Sequence, residues 1–210
     1  MATTRERLLA SALAVLASEG IAGTSARVIA AHADVNQALV FYHYGSVDEL
    51  LAEASRTVTR QRAQVYTDRL AMIDTFTDLA IEARALHREE RAAGHLLVLT
   101  QLLAGARTRP PLAVALQDNF ALLVAPVETA LQRMLAGSVL EEVVAPAQLA
   151  RSIAGGFLGL QLLDGVVTQV ESDPFDTLDA LAAVVDLALD AGVLETSLLR
   201  RKLRAARPTT

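Results

Sequence analysis

A short segment near the N-terminus carries the side chains whose chemistry is easiest to interpret. Arg27, Asn36, Gln37, Tyr42 and His43 lie close together in the sequence. A guanidinium group fits the O6 and N7 acceptors of guanine, and a Gln or Asn amide can form two hydrogen bonds with adenine. Hydroxyl and imidazole groups suit phosphate oxygens. These residue types are compatible with recognition of duplex DNA, provided that the fold presents them on one surface.

Two short predicted helices would position these side chains. Thr24 or Ser25 caps the first, Asp34 and Val35 form a tight turn, and the second runs from Asn36 to a stop at Gly45. The residues predicted to face inward are Val28, Ile29, Val35, Val40, Phe41 and Tyr44. A supporting helix, a tight turn and a recognition helix make a helix-turn-helix. The spacing alone leaves open an ordinary pair of short helices.

The rest of the chain also predicts helices, which gives an all-α fold of about nine. Thr3 and Glu6 form a capping box before a first helix that Gly20 should end, and Ser46 opens a long helix to about residue 72. Further helices are predicted at about 75–91, 94–106, 111–136 with Pro126 inside, 146–170 and 174–191.

Composition and charge restrict both the function and the surface that could bind DNA. The 210 residues include no Cys, which excludes a disulfide scaffold, a Cys-ligated zinc site and a Cys nucleophile. Residues 1–47 have a net charge of zero, residues 48–195 carry −10 and residues 196–210 carry +5. Because the middle of the chain is acidic, only its two ends are suited to nucleic acid.

No sequence pattern indicates an enzyme, a cofactor or a metal. The chain has no P-loop, no GxGxxG and no GxSxG, and His87 and His95 are eight residues apart without a HExxH pattern. The N-terminus lacks the features of a signal peptide, and no long uncharged apolar segment predicts a membrane span. We therefore expect a cytoplasmic protein without a cofactor.

The segment TSARVIAAHADVNQALVFYHYGSVDELL resembles the helix-turn-helix signature of the TetR family of bacterial transcriptional regulators. The preceding TRERLLASALAVLASEGIAGT resembles the first helix and loop of that family, so the resemblance covers residues 4–52. It implies a DNA-binding domain over residues 1–47 and a ligand-binding and dimerisation domain over residues 48–210. It further implies a homodimeric repressor that binds a palindromic operator and that a small molecule releases.

The same resemblance implies individual contacts to DNA. Arg27 and Gln37 would read bases, Ala38 would allow close approach, and Ser25 would meet a phosphate. The whole expected set is Ser25, Arg27, Asn36, Gln37, Ala38, Leu39, Tyr42, His43 and Ser46. Leu39 stands where the family usually has Thr or Ser, and Val47 where it usually has Lys. We therefore expect weak non-specific binding and a shallow salt dependence.

The C-terminal helices suggest a subunit interface, with residues 146–191 supplying the main dimer helices. Its predicted residues are Gly155, Gly156, Phe157, Gly159, Leu160 and Leu163. Polar groups among apolar neighbours are candidates for an apolar or amphipathic effector, namely His87, His95, Gln101, Asn119 and Gln161. The alternative is a dimeric all-α interaction or ligand-binding module whose DNA binding is weak or lost.

Overall fold

The computed structural model describes residues 2–138, 140–141, 144–163 and 173–190. The regular secondary structure of these ranges is helical throughout, which confirms the predicted all-α fold. The helices are α1 (Thr4–Gly23), α2 (Ala26–His32), α3 (Ala38–Tyr44), α4 (Val47–Leu70), α5 (Phe76–Ala92), α6 (His95–Ala106), α7 (Pro110–Leu135), α8 (Pro146–Leu163) and α9 (Pro174–Leu189).

Most helices begin where the sequence places a capping residue. The Glu6 N–H donates to Thr3 Oγ1 at 3.2 Å, and the Thr3 N–H donates to the Glu6 carboxylate at 2.8 Å, which completes the capping box. Ser25 caps α2, and Asp173 caps α9 with Pro174 in the first turn. These three side-chain caps join residues three or fewer positions apart, so the sequence predicts them well.

The predicted stop at Gly20 coincides with a break inside α1. Gly20 has φ +66° and ψ −179°, so it interrupts the helical geometry as expected of a stop residue. The chain then returns to helical geometry and α1 continues to Gly23. The predicted extension of α8 to Val170, and the basic tail, lie outside the described residues.

The prediction that Phe41 faces inward is wrong. Val40 is fully buried and Tyr44 is half-buried, whereas Phe41 is 49% exposed. One residue corresponds to about 100° of rotation around a helix, so Phe41 cannot share the inward face that Val40 and Tyr44 occupy at a spacing of four. The short helix α3 thus has one buried apolar face and one exposed aromatic face.

The chain folds as two compact units. The N-terminal unit comprises residues 1–65 and 89–123, and the second unit comprises residues 66–88 with the described residues from 124 onward. The N-terminal unit contains a contiguous apolar core to which α1 to α4, α6 and α7 contribute. Its largest fully buried side chains include Leu8, Leu16, Ile29, Val40, Leu50, Leu51, Leu102 and Leu112.

Helix α7 is, of the described helices, the one long and apolar enough to cross a membrane. Its residues Leu112, Ala115 and Leu116 instead belong to the core of the N-terminal unit. Asp118 and Asn119 follow directly in its sequence, and Asn119 is buried with its amide donating to Ser55 Oγ. These features are typical of a core helix of a folded domain.

Candidate nucleic-acid interface

The core of the N-terminal unit holds the two short helices that carry the predicted DNA contacts. Helices α2 and α3 have seven residues each, which is too short for stability in isolation. Ile29 and Ala30 of α2 and Val40 of α3 are buried in the same cluster as Leu8 and Ala12 of α1. Tertiary packing therefore fixes both helices on one framework.

Polar side chains of α1 hold the turn between α2 and α3. The Arg7 guanidinium donates to the backbone carbonyls of Ala33 and Asp34, the latter at 2.8 Å. Asp34 has φ +50°, the left-handed geometry that this tight turn requires. His32 Nδ1 lies 3.1 Å from Ser11 Oγ. The sequence analysis did not find this role of Arg7, because Arg7 lies 26 residues from Ala33.

The start of the recognition helix has a local side-chain cap. The Ala38 N–H donates to Asn36 Oδ1 at 2.8 Å, which is the capping role expected of Asn36. The N–H groups of Leu39 and Val40 bond to the carbonyls of Asn36 and Gln37. Helix α3 itself begins at Ala38, so Gln37 stands at its N-terminal end with an exposed side chain.

The predicted contact residues differ in their exposure. Six are exposed, namely Ser25, Arg27, Asn36, Gln37, Ala38 and Tyr42, and Tyr42 reaches 81%. Leu39, His43 and Ser46 are half-buried. Ser25 Oγ accepts from the Val28 N–H at 3.4 Å, and Ser46 Oγ accepts from the Glu49 N–H at 3.1 Å. Both hydroxyl oxygens thus cap helices, and their protons remain available to another acceptor.

Phe41 belongs to the same exposed surface, although the sequence analysis assigned it to the core. It follows Gln37 by four residues and Ala38 by three, so the three side chains share a face of the recognition helix. The signal that could have identified it was the spacing of Val40 and Tyr44, which already fills the inward face. The exposed surface of α3 is therefore more apolar than the predicted contact set.

The positive charges of residues 1–47 are largely engaged within the fold. Arg5 lies 3.4 Å from Glu53 and its guanidinium stacks over Tyr44, and Arg7 serves the turn. Arg27 is the one Arg of the described N-terminal 47 residues without an ion pair or hydrogen bond there. Burial raises the pKa of Tyr44, although Arg5 opposes the shift, so its hydroxyl stays protonated and donates to the Arg5 carbonyl at 2.8 Å.

The family model described as "Bacterial regulatory proteins, tetR family" matches residues 8–54. That range contains most of α1, all of α2 and α3, and the start of α4. Over residues 8–54 the chain is therefore similar to the TetR family. The match ends within the first part of α4, so it covers the helix-turn-helix and most of the helix α1 that supports it.

Relatives of similar length extend the likeness to the rest of the chain. Uncharacterized HTH-type transcriptional regulators of Mycobacterium bovis and Mycobacterium tuberculosis are 26% identical over 168 residues, which is 80% of this chain and 86% of theirs. A TetR-family structure from a Rhodococcus species has a TM-score of 0.67 at 20% identity and covers 89% of this chain and 99% of its own. The matched family and these relatives are described as transcriptional regulators.

A second solved structure shares the fold and holds a ligand. The multidrug binding protein EbrR, complexed with ethidium, has a TM-score of 0.61 at 25% identity. The likeness covers 87% of this chain and 97% of EbrR. Ethidium is therefore a ligand of a protein with the same fold.

The five candidate effector residues divide between the two units. In the N-terminal unit, His95 Nδ1 lies 2.8 Å from the buried Glu90 carboxylate, which also pairs with Arg62. Gln101 Oε1 accepts from the Ile21 N–H at 3.2 Å, and Asn119 bonds to Ser55. In the second unit, the buried His87 ring lies 5.3 Å from the rings of both Phe157 and Phe175. Gln161 is half-buried on α8, the helix that carries Phe157.

The candidate dimer residues lie on α8, on more than one side of the helix. Gly155 and Gly156 are exposed, and a Cβ built at Gly155, Gly156 or Gly159 meets no atom within 4 Å. Leu163 is 54% exposed. Leu160 is half-buried, and Phe157 packs against Phe175 with ring centroids 6.0 Å apart. Helix α9 adds exposed apolar side chains, namely Leu178, Leu181, Val184 and Leu187.

Charged groups attach α9 to α5 within the second unit. Arg84 of α5 lies 2.8 Å from Asp176 and 2.7 Å from Asp179. The Asp186 carboxylate accepts hydrogen bonds from the Phe76 and Thr77 N–H groups and from the Thr77 hydroxyl, so it caps α5. Burial acts to raise the pKa of Asp186, but these hydrogen bonds outweigh it and hold the pKa below its ordinary value.

Proposed function

We propose that this chain is a ligand-responsive repressor that binds a palindromic operator as a homodimer. The observation that carries the proposal is the exposed surface of α2 and α3, on which Arg27, Gln37 and Tyr42 project from a rigid framework. Recognition helices read bases with residues near their N-terminal end. Gln37 and Ala38 occupy that end of α3.

The proposed role of each residue on this surface follows from the chemistry of its side chain. Arg27 would bind guanine or a phosphate, Gln37 would pair with adenine, and Tyr42 and His43 would bind phosphates. Since Arg5 and Arg7 are engaged within the fold, we expect few phosphate contacts from the Arg side chains of residues 1–47. The affinity should therefore fall only gently with salt.

The exposed apolar face of α9, together with α8, supports the proposed homodimer. Leu181, Val184 and Leu187 recur at a spacing of three, on the side of α9 away from Phe175 and Asp186, which contact α5. A surface of this kind is unfavourable in water and favourable between two copies. Two helices from each copy would form a four-helix bundle, and the two-fold symmetry would match a palindrome. Residues 48–210 would then form the ligand-binding and dimerisation domain.

We further propose an apolar or amphipathic effector. EbrR binds ethidium, a flat aromatic cation, and shares the fold of this chain. The second unit contains a packed aromatic cluster of matching chemistry, formed by His87, Phe157 and Phe175. Family membership also supports a cytoplasmic location.

The first test is selection of bound sequences from a pool of random duplex DNA. We expect a palindrome to be enriched by the wild type and one position in each half-site to be relaxed by Gln37→Ala. Gln117→Ala, an exposed Gln of α7, is the matched control and should select the wild-type sequence. If no sequence is enriched even at low salt, the chain is instead a dimeric interaction or ligand-binding module.

Phe41 allows a sharper test on the selected duplex. Its ring lies one helical turn beyond Gln37, so we expect contact with a thymine methyl group. Replacing that thymine by uracil should weaken binding by roughly fourfold, corresponding to about 0.8 kcal/mol per buried methylene-sized group. Phe41→Ala should bind both duplexes equally. A uracil effect of the same size in both proteins would exclude Phe41 from the contact.

The oligomeric state tests the proposed interface independently. Leu181→Glu places a charge in the apolar face of α9 and should convert the dimer to a monomer in light scattering after gel filtration. Ile81→Glu is the matched control, because Ile81 is similarly exposed on α5 (59%, against 56% for Leu181). Equal dimerisation by both variants would contradict the proposed α9 interface.

A further inference from the structure

Side chains of α6 and of the residue that precedes α7 bind the backbone just after the break in α1. At this break the Ile21 N–H donates to Gln101 Oε1 at 3.2 Å, and the Ile21 carbonyl accepts from Arg109 Nη2 at 3.4 Å. Both polar backbone groups of one residue are therefore held by side chains that lie 80 and 88 residues away. We name these contacts, with Gly105, the Ile21 clasp.

Gly105 makes the clasp possible by allowing close approach. A Cβ at Gly105 would lie 2.6 Å from Ile21 Cγ1, closer than real Cβ contacts allow. Gln101 and Gly105 are four residues apart and share a face of α6. Arg109, which precedes α7, also lies 3.2 Å from Asp48 in the first turn of α4. The clasp thus joins the end of α6 to the last turn of α1 and the start of α4.

The segment after the clasp leads directly into the helix-turn-helix. Only a few residues separate Ile21 from Ser25, the N-cap of α2. Thr24 is buried, and its hydroxyl donates to the Gly20 carbonyl at 2.8 Å. This connection is short and internally hydrogen-bonded. It can therefore absorb little of a displacement at Ile21, and most of the displacement would reach α2.

We propose that Gln101, Gly105 and Arg109 are positioning residues that set the placement of α2 and α3 from α6, without touching DNA. For its consequence on DNA the inference rests on the proposed function. The clasp also gives Gln101 a role other than the effector contact expected from the sequence.

The test combines hydrogen exchange with DNA binding in the full-length protein. Gln101→Ala removes the acceptor for the Ile21 N–H, and we expect faster amide exchange over residues 21–44 with little change over residues 4–16. Gln101→Glu retains an oxygen acceptor and should restore slow exchange. Gln117→Ala is the control for losing a Gln side chain. If Gln101→Ala does not melt cooperatively, Arg109→Gln serves in its place, since it removes the contacts to Ile21 and Asp48.

A second readout separates positioning from simple destabilisation. On the duplex selected by the wild type, we expect Gln101→Ala to bind about three- to tenfold more weakly. Its preference for that duplex over one with an extra central base pair should also fall, because misplaced recognition helices discriminate spacing poorly. A uniform loss of affinity with unchanged spacing preference would overturn the inference.

Failure of the clasp and failure of the proposed function give different results. Unchanged exchange over residues 21–44 in Gln101→Ala would overturn the clasp, whether or not the protein binds DNA. Faster exchange in that variant, with no sequence selected by the wild type, would support the structural clasp and refute both operator binding and the clasp's role in setting DNA contacts.

Discussion

Different kinds of interaction stabilise each of the two units. In the N-terminal unit, six helices share one apolar core that includes Leu8, Ile29, Val40 and Leu50. In the second unit, apolar packing is supplemented by charged groups, with Arg84 facing three carboxylates of α9 and its N-terminal flank, and Asp186 capping α5. The comparison implies that loss of apolar volume acts most strongly on the first unit, whereas the attachment of α9 to α5 in the second unit depends on pH and salt.

The largest effect is expected from a cavity in the N-terminal core. Leu50 is fully buried, so Leu50→Ala should lower the free energy of unfolding by about 2–5 kcal/mol. Urea unfolding followed by circular dichroism measures it. Met72→Ala is the control, since Met72 is 85% exposed and its truncation should have little effect. Similar losses from both substitutions would contradict a core-dominated N-terminal unit.

A smaller loss is expected from the cap of α5. Asp186→Ala removes the acceptor for three hydrogen bonds and should cost about 1 kcal/mol, as helix caps typically do. The Asp186 pKa is lower in the folded state than in the unfolded chain. Its contribution is therefore present above the unfolded Asp pKa and is lost as the pH falls through the folded value.

Unfolding of Asp186→Asn as a function of pH tests this sign. The variant should show a flatter decline in stability on acidification than the wild type. Asp118→Asn is the matched control, because Asp118 is exposed and forms no hydrogen bond or ion pair with the described residues. If both variants follow the wild-type curve, the cap does not contribute to acid sensitivity.

The smallest effect is expected from salt. Ionic screening weakens the partly exposed pairs of Arg84 with Asp176 and Asp179, so amide exchange of α9 should accelerate by about two- to fivefold in 1 M salt. Exchange of α3, which is anchored by Val40, should not change. Arg84→Met should remove the salt response of α9. Equal acceleration of α3 and α9 would eliminate the proposed difference between the units.

Local signals in the sequence were sufficient for much of the fold but for less of the site. Capping residues such as Thr3, Ser25 and Asp173 act on neighbours within three positions, so their helix starts were predictable. Phe41 was assigned to the core because it is apolar. Helix α3 is short, however, and its core-facing side is already filled by Val40 and Tyr44. Arg7 bonds to a residue 26 positions away and Gln101 to one 80 positions away. No pattern in a single sequence encodes such pairs.

The engaged state of Arg5 and Arg7 has a consequence for how this protein searches a chromosome. Each Lys or Arg that neutralises a phosphate lengthens the time a protein spends on unrelated DNA. With Arg27 left as the uncommitted Arg in the described part of residues 1–47, visits to unrelated sequence should be brief. Unless the five basic residues of 196–210 add phosphate contacts, most copies would remain free in solution, so occupancy of a target site would follow the number of molecules in the cell closely.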